Sequence, residues 1–317
     1  MKKIFPAIAF VFVSLFCFSC ATTVNMNVER PAEIDLASAQ SIAIEPITYP
    51  SRFLSFNFDS RDAVAYLERN LVTKLSSNGT YKVIPPTDRV TPADVLLRFE
   101  ILQFDIDEDV RTEKVKNKNY NKDKKNGNRV SGASEYVYEK YYRRSVRFVY
   151  RYQFINGQTN NVIASREREY SSKSSEERSI SRLPSGYSMI RSKLDEIITG
   201  IGREVFPYTV SKTLTLLKDK SKNPDMEYAD KLADKGFLVE SAEVFDNIYK
   251  ETGLFEAGYN AGILYEALGL YYLAEERMTF LWNNYGDERA LNALSDIKNE
   301  IDQKKRLDNQ KKQHRAR

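Results

Sequence analysis

The sequence has very little cysteine and histidine. Both of its cysteines, Cys17 and Cys20, lie within the first 20 of 317 residues, and the single histidine is His314. A body without thiols forms no internal disulfide, so an ordinary hydrophobic core must hold it together. No histidine or cysteine cluster has metal-ligand spacing, and no glycine-rich phosphate loop is present. We therefore expect no metal, no cofactor and no catalytic residues, and we expect that the chain is not an enzyme.

Long apolar runs are also scarce, and the only one lies at the start. Two lysines precede Ile4–Phe18, and the small Ser19 and then Cys20 follow it. This order is typical of a secretory signal, and it resembles the signal of bacterial lipoproteins. The resemblance implies that 1–19 is a signal peptide and that Cys20 is the lipidation site.

The same resemblance implies that acyl chains such as palmitate are attached to Cys20 and that the membrane is a partner of the protein. One acyl chain binds a bilayer weakly, whereas two or three hold a protein there stably. We expect a lipid-anchored protein of the cell envelope, in the outer membrane and facing the periplasm. Two alternatives remain open: a secreted protein that is cut nearby, and an uncleaved membrane anchor.

The net charge of +4 is concentrated at the end of the chain. The segment 303–317 carries seven basic residues and one acidic residue, and without it and the two signal lysines acidic residues outnumber basic ones. Short runs of charge at a terminus are usually solvated. We expect 304–317 to be a basic tail: either simply solvated, or a helix end that frays into an arm whose charge contacts anionic lipid headgroups or wall polymers.

The front of the body predicts an α+β domain over 41–217, preceded by a polar tether over 20–40. Alternation of apolar and polar residues predicts strands, and apolar residues three and four positions apart predict helices. The predicted strands are Ser41–Ile47, Tyr81–Ile84, Asp94–Ile106, Tyr136–Ile155 and Val162–Ser171. The predicted helices are Asp59–Ser77 and part of Ser185–Leu217, which Pro207 kinks or breaks.

One predicted strand carries an aromatic stripe, and the segment before it is strongly polar. The stripe contains Phe148, Tyr150, Tyr152 and Phe154, and such a pattern is more often a core face than a ligand platform. Segment 111–135 has eight basic and three acidic residues, which predicts a mobile basic insertion. A nucleic-acid site needs aromatic side chains within its basic groove, where the bases stack on them. Here the tyrosines lie in the strand that follows the basic insertion, so we expect no nucleic-acid partner.

From residue 224 to 303 the sequence repeats itself with helical spacing. Gly236, Ser241, Phe245 and Ile248 match Gly269, Ala274, Met278 and Leu281 at an offset of 33 residues. This pattern resembles a pair of tetratricopeptide repeats, whose period is about 34 residues. The resemblance implies a helical domain with a groove for a peptide or helix. The candidate residues for its groove or core are Tyr259, Asn260, Tyr265, Tyr271 and Tyr272.

The front of the chain resembles envelope lipoproteins of the curli-secretion and penicillin-binding-protein-activator kind. The resemblance rests on the lipoprotein-like start, the segment Arg30–Leu36 and the strand that ends near Pro46. The resemblance implies a small α+β domain built from a strand, a helix and an antiparallel sheet. The channel-forming members also need membrane-spanning hairpins, and segment 111–135 is too polar to face lipid.

Together these features predict a non-enzymatic, lipid-anchored envelope protein that acts as an interaction adaptor or assembly factor for an unidentified envelope protein. The alternative is an oligomeric structural or transport component related to the curli-secretion lipoproteins.

Overall fold

The computed structural model describes residues 22–36, 39–49, 58–88, 90–116, 136–219 and 223–315. The predicted signal peptide and Cys20 lie outside these ranges. The chain divides into two compact units, one comprising 1–30 with 209–307 and the other 31–208 with 308–317. We call them the helical unit and the sheet unit.

The sheet unit is built on five strands in the order β3-β2-β4-β5-β6. Their bounds are Ser41–Ile44 (β2), Lys82–Ile84 (β3), Val95–Lys116 (β4), Tyr136–Asn156 (β5) and Val162–Lys173 (β6). Strand β2 pairs in parallel with β3 and β4, whereas β4, β5 and β6 are antiparallel. Helices α1 (Phe58–Ser76) and α2 (Gly186–Val205) pack on each other and on the sheet. The predicted α+β class is confirmed.

The aromatic stripe of β5 is part of the core. Phe148 and Phe154 are fully buried, and the Tyr150 ring stacks on Phe99 of β4 with 5.6 Å between centroids. The opposite face of the same strand carries exposed ion pairs, such as Arg147 with Glu169 at 2.8 Å. Pairs of this kind contribute about 0–1 kcal/mol each. Burial of one face therefore stabilises the sheet far more than the charges on the other face do.

Two segments of the sheet unit differ from what the sequence predicts. The first six residues of the predicted insertion 111–135 continue β4 and pair with Tyr136–Tyr141 of β5; residues 117–135 lie outside the described residues. Likewise, part of the predicted tail 304–317 is buried, and the helix end that the sequence allowed there extends to Arg315. Gln310 is buried there, and its side-chain amide accepts from the backbone N of Ala32 at 2.9 Å and donates to its O at 3.1 Å. The run of charged residues around Gln310 gave no sign of this internal contact in the sequence.

Within the described ranges, the helical unit contains strands β1 (Thr23–Arg30) and β7 (Tyr208–Thr215), and five helices follow β7. The helices are α3 (Pro224–Asp234), α4 (Leu238–Thr252), α5 (Phe255–Ala267), α6 (Tyr271–Tyr285) and α7 (Glu288–Arg315). The residues from Asp308 on, at the end of α7, are grouped with the sheet unit. The prediction of an all-helical C-terminal region is confirmed. None of the helices in the described ranges combines the length and apolar character needed to cross a membrane.

The two-stranded β1–β7 sheet corrects two predictions. Strand β1 lies within the predicted tether 20–40, because Val24 and Val28 alternate with polar residues and are buried. Strand β7 lies within Ser185–Leu217, where the helical pattern ends at Val205, just before Pro207. Residue Thr22 pairs with Leu216, and Asn25 with Thr213, so the two strands run antiparallel.

The repeated positions occupy equivalent places in the helical unit. Gly236 and Gly269 both have the positive φ that favours glycine, at +84° and +75°, and they end α3 and α5. The six matched side chains are all buried: Ser241, Phe245, Ile248, Ala274, Met278 and Leu281. The offset of 33 residues thus corresponds to two helical hairpins with matching interior positions.

Candidate groove on the helical unit

Two of the five candidate residues, Tyr259 and Asn260, pack in the core of the helical unit. Asn260 is fully buried, and its side-chain O accepts from the backbone N of Leu217 at 2.7 Å while its N donates to the backbone O of Leu217 at 2.9 Å. Tyr259 is partly buried in the same core, and burial raises the pKa of its hydroxyl. The structure therefore places Asn260 in the core, where the backbone after β7 uses both ends of its amide.

Tyr265 lines a groove between α4 and α6, which has a volume of about 590 Å³. We call it the α4–α6 groove. Its lining residues are Asp246, Tyr249, Lys250, Gly253, Tyr265, Leu273, Glu276, Arg277 and Phe280. Among the five candidates, Tyr265 alone belongs to this lining set.

Two glycines of α5 allow the groove to form. A Cβ on Gly258 would lie 2.7 Å from Cδ2 of Tyr249, and a Cβ on Gly262 would lie 2.7 Å from Cε of Met278 and 3.1 Å from Cγ of Arg277. Both distances of 2.7 Å are shorter than real Cβ contacts. The spacing of four residues puts both glycines on one face of α5, so that α4 and α6 approach it closely.

An ion pair forms the floor of the groove. The Arg277 guanidinium pairs with the Asp246 carboxylate and stacks on the Tyr249 ring at 4.8 Å from its centroid. Asp246 also pairs with Lys250 at 2.7 Å. Arg277 and Asp246 have only 17% and 12% of their side chains exposed, so this pair is held by packing as well as by charge.

The tyrosines of the groove are neutral phenols at physiological pH. Burial, and then a hydrogen bond with Tyr285, raise the pKa of Tyr249 to about 12. Burial and the neighbouring Asp246 raise the pKa of Tyr265 as well. Neither hydroxyl is therefore poised to act as a base or nucleophile at neutral pH.

The rim of the groove is apolar and exposed. Leu273 and Phe280, one on each side of Arg277 along α6, are 49% and 53% exposed, and the Phe280 ring makes an edge contact with Tyr249 at 6.4 Å. Tyr272, another of the candidates, is 68% exposed next to Leu273. An apolar rim above a charged floor suits a segment of protein with one apolar face.

Tyr271 lies at a different place, beside a buried ion network. Lys212 of β7 pairs with Glu266 at 2.7 Å and with Glu300 at 3.0 Å, and Arg30 of β1 pairs with Glu300. Burial tends to raise the pKa of Glu300, but hydrogen bonds from Arg30 and Lys212 outweigh it and lower that pKa. Burial of Glu266 raises its pKa despite the contact with Lys212. The network fastens both strands to α5 and α7.

Sequence reasoning missed Asp246, Tyr249 and Arg277. The signal that could have found them is the pair Gly258 and Gly262, since small residues four apart on a helix mark a close approach by neighbouring helices. The predicted lipidation site, Cys20, lies outside the described residues, so the structure does not place it. In the described part of the chain, no cluster of three or more His, Cys, Asp or Glu side chains is arranged to hold a metal.

No protein-family model matches the chain, and no curated protein matches its sequence. Solved structures show weak likeness. A PelC dodecamer from Paraburkholderia phytofirmans is 12% identical over 58% of this chain and 98% of that one, with a TM-score of 0.30. A neuraminyllactose-binding hemagglutinin homolog from Helicobacter pylori is 14% identical over 62% and 90%, with a TM-score of 0.35.

A minor lipoprotein from Acinetobacter baumannii is also similar, with 11% identity over 52% of this chain and 82% of that one and a TM-score of 0.21. All three TM-scores are below 0.5, so these similarities assign no function to this chain.

Proposed function

We propose that this chain is a non-enzymatic, lipid-anchored protein of the cell envelope that captures a protein partner through the α4–α6 groove. The anchor is a diacyl or triacyl group on Cys20, added after removal of 1–19, and the membrane is the outer membrane, with the protein facing the periplasm. The observation that carries the binding role is the exposed apolar rim of Leu273 and Phe280 over the paired Arg277 and Asp246.

The anchor rests on the sequence. A basic start, an apolar run and a small residue before Cys20 give the order that directs lipoprotein processing. Both cysteines lie within this region, so the mature body would carry no thiol besides the acylated one. A protein that resides in an oxidising envelope then has no unwanted disulfide to form.

The helical hairpins support an interaction role of the tetratricopeptide kind. The matched glycines, the 33-residue offset and the matched buried positions are features that such repeats share. The face of α5 that carries Asn260 is already covered by the strand backbone at Leu217. The α4–α6 groove is exposed, so we assign partner binding there, with Tyr265 in its wall and Tyr272 at its margin.

The occupant that fits best is an amphipathic helix or an extended segment with two apolar side chains. These would cover Leu273 and Phe280, while a polar group of the partner would reach Arg277 or Lys250. Lys250 and Glu276 balance each other in charge, so the groove selects by shape and apolar contact rather than by net charge.

Site-specific photo-crosslinking in the native envelope tests the groove. A photoreactive phenylalanine at Leu273 or Phe280 should yield one discrete adduct, because both side chains are exposed on the rim. The matched control is Leu291 of α7, which is 40% exposed and lies outside the groove lining. Equal adducts at all three positions, or none at the rim, would contradict binding through the groove.

A second variant separates binding from labelling. Tyr265→Ala removes part of the groove wall and should reduce the Leu273 adduct several-fold. The companion change Tyr228→Ala, on an exposed position of α3, should leave the adduct unchanged.

Intact mass of the detergent-extracted protein tests the anchor: a chain that starts at Cys20 with acyl chains is expected, and Cys20→Ala should abolish that modification.

A further inference from the structure

The helical unit is ordered almost from the predicted anchor onward. Strand β1 begins at Thr23, and before it the carbonyl of Thr22 accepts a hydrogen bond from the backbone N of Leu216 at 2.9 Å. One residue later, Val24 is 4% exposed and belongs to the core of the helical unit. The chain is therefore fixed to this unit from Thr22.

Only one residue separates Cys20 from Thr22. Two residue steps span at most about 7 Å when fully extended. The headgroup layer on one side of a bilayer is about 5–8 Å thick. If the Cys20 acyl chains are inserted in the bilayer, Thr22 must lie within or directly above the headgroups. This step rests on the proposed anchor.

The strand end at Thr22 does not detach at low cost. Leu216, its bonding partner, is 1% exposed, and the next residue, Leu217, is held at both backbone groups by the buried Asn260. Releasing Thr22 and Val24 as a longer tether would expose the buried Val24 and Leu216 side chains to water, which is unfavourable. The short connection is thus built into the fold.

We propose that the end of the β1–β7 sheet formed by Thr22, Thr23, Thr215 and Lys218 rests on the phospholipid headgroups and orients the helical unit on the membrane. Thr215 is exposed at the end of β7, and Lys218 is exposed just after it. The positive charge of Lys218, which also acts on the carboxyl of Asp230, is favourable next to lipid phosphates. The other end of β1, at Arg30, then lies farther from the bilayer by the length of the strand, which is about 25 Å for eight residues.

Quenching of a fluorophore by nitroxide-labelled lipid headgroups tests this orientation. The mature lipidated protein, which starts at the acylated Cys20, provides no competing free thiol, so Thr215→Cys and Lys218→Cys each supply one labelling site. The control is Leu270→Cys, at an exposed position near the far end of β1. Leu270 follows Gly269, which lines the same cavity as Arg30. The protein is reconstituted in vesicles of phosphatidylethanolamine and phosphatidylglycerol.

We expect labels at 215 and 218 to be quenched at least about twice as much as the label at 270, given a separation close to the thickness of the hydrocarbon core. A flotation measurement on the same vesicles distinguishes the two proposals. Protein that floats but shows equal quenching at all three positions overturns the orientation and leaves the anchor intact. Protein that does not float overturns the anchor, and the orientation with it.

A linker insertion supplies a second check. Twelve glycine and serine residues placed between Ala21 and Thr22 have a mean span of about 20 Å. The protein should still float, and the excess quenching at 215 and 218 should disappear. An excess that persists would overturn the short connection as its cause.

Discussion

At the scale of single residues, glycine spacing on α5 decides how closely three helices approach. The ring of Tyr249 lies where a Cβ on Gly258 would be, at 2.7 Å from Cδ2 and 2.9 Å from Cε2. A stiff aromatic ring has no rotamer change that relieves such a clash without moving a helix.

Gly258→Ala is therefore expected to lower the free energy of unfolding by about 1–3 kcal/mol, as overpacking usually does. The matched control is Gly200→Ala in α2, where a Cβ meets nothing within 4 Å. That change should stabilise the protein by about 0.5–1 kcal/mol, because alanine favours a helix over glycine. Urea unfolding followed by circular dichroism measures both; equal effects would contradict the close packing.

The carboxylate of Asp230 destabilises the folded state when it is charged, because one of its oxygens is buried. Its Oδ1 has no hydrogen-bond partner among the described residues, and burial together with Asp234 raises the pKa of Asp230 to about 6. The folded state thus holds its proton more tightly than the unfolded state does. Stability falls as pH rises from about 4 to about 6, and the full penalty is present above that range.

Asp230→Asn should remove this penalty. At pH 7.5 we expect the variant to be more stable by about 1 kcal/mol, a figure reduced from the full shift because Asp230 is half-exposed. At pH 3.5 the gain should vanish, since the carboxyl is then neutral in the folded state. Thermal unfolding at the two pH values measures it. A gain of the same size at both would show that charge is not its cause.

At the scale of elements, one partly buried lysine joins a strand to two helices. Lys212 of β7 lies between Glu266 of α5 and Glu300 of α7, which are 1% and 3% exposed. Removing one partner of a buried ion pair leaves uncompensated charge in the interior.

Lys212→Met is expected to destabilise the protein by about 3 kcal/mol. The loss should be greater at pH 8 than at pH 5, because Glu266, whose pKa burial already raises, accepts a proton more readily at the lower pH. The control is Lys231→Met, since Lys231 pairs with Glu227 on the surface, with 63% and 71% of the side chains exposed. That change should cost less than about 1 kcal/mol. Similar losses in the two variants would contradict a buried network.

At the scale of the whole molecule, the assembly state separates the two proposed classes of function. An adaptor that binds through the α4–α6 groove requires no ring, so the detergent-extracted protein is expected to run as a monomer or dimer. Light scattering after size exclusion, or mass photometry, measures this. A large discrete assembly would instead favour the oligomeric structural or transport component.

The sequence by itself determined the periodic elements, because their signals are local. Alternation along β5 gave its aromatic core face, and the glycines at 236 and 269 marked the turns between paired helices. The signal-like start and Cys20 are equally local. For the same reason the segments with weak local pattern were misassigned: β1 was hidden in a polar stretch, and β7 followed a helix closely.

Only the tertiary structure decided which helix face is free. Nothing near Asn260 in sequence shows that its amide binds Leu217, 43 residues away, or that Tyr265 lies beside Arg277 and Asp246. Pairing of β1 with β7 joins residues nearly 200 positions apart, and it brings the fold to within one residue of Cys20. Such contacts depend on how buried surfaces from distant segments fit together, and local periodicity carries no information about that fit.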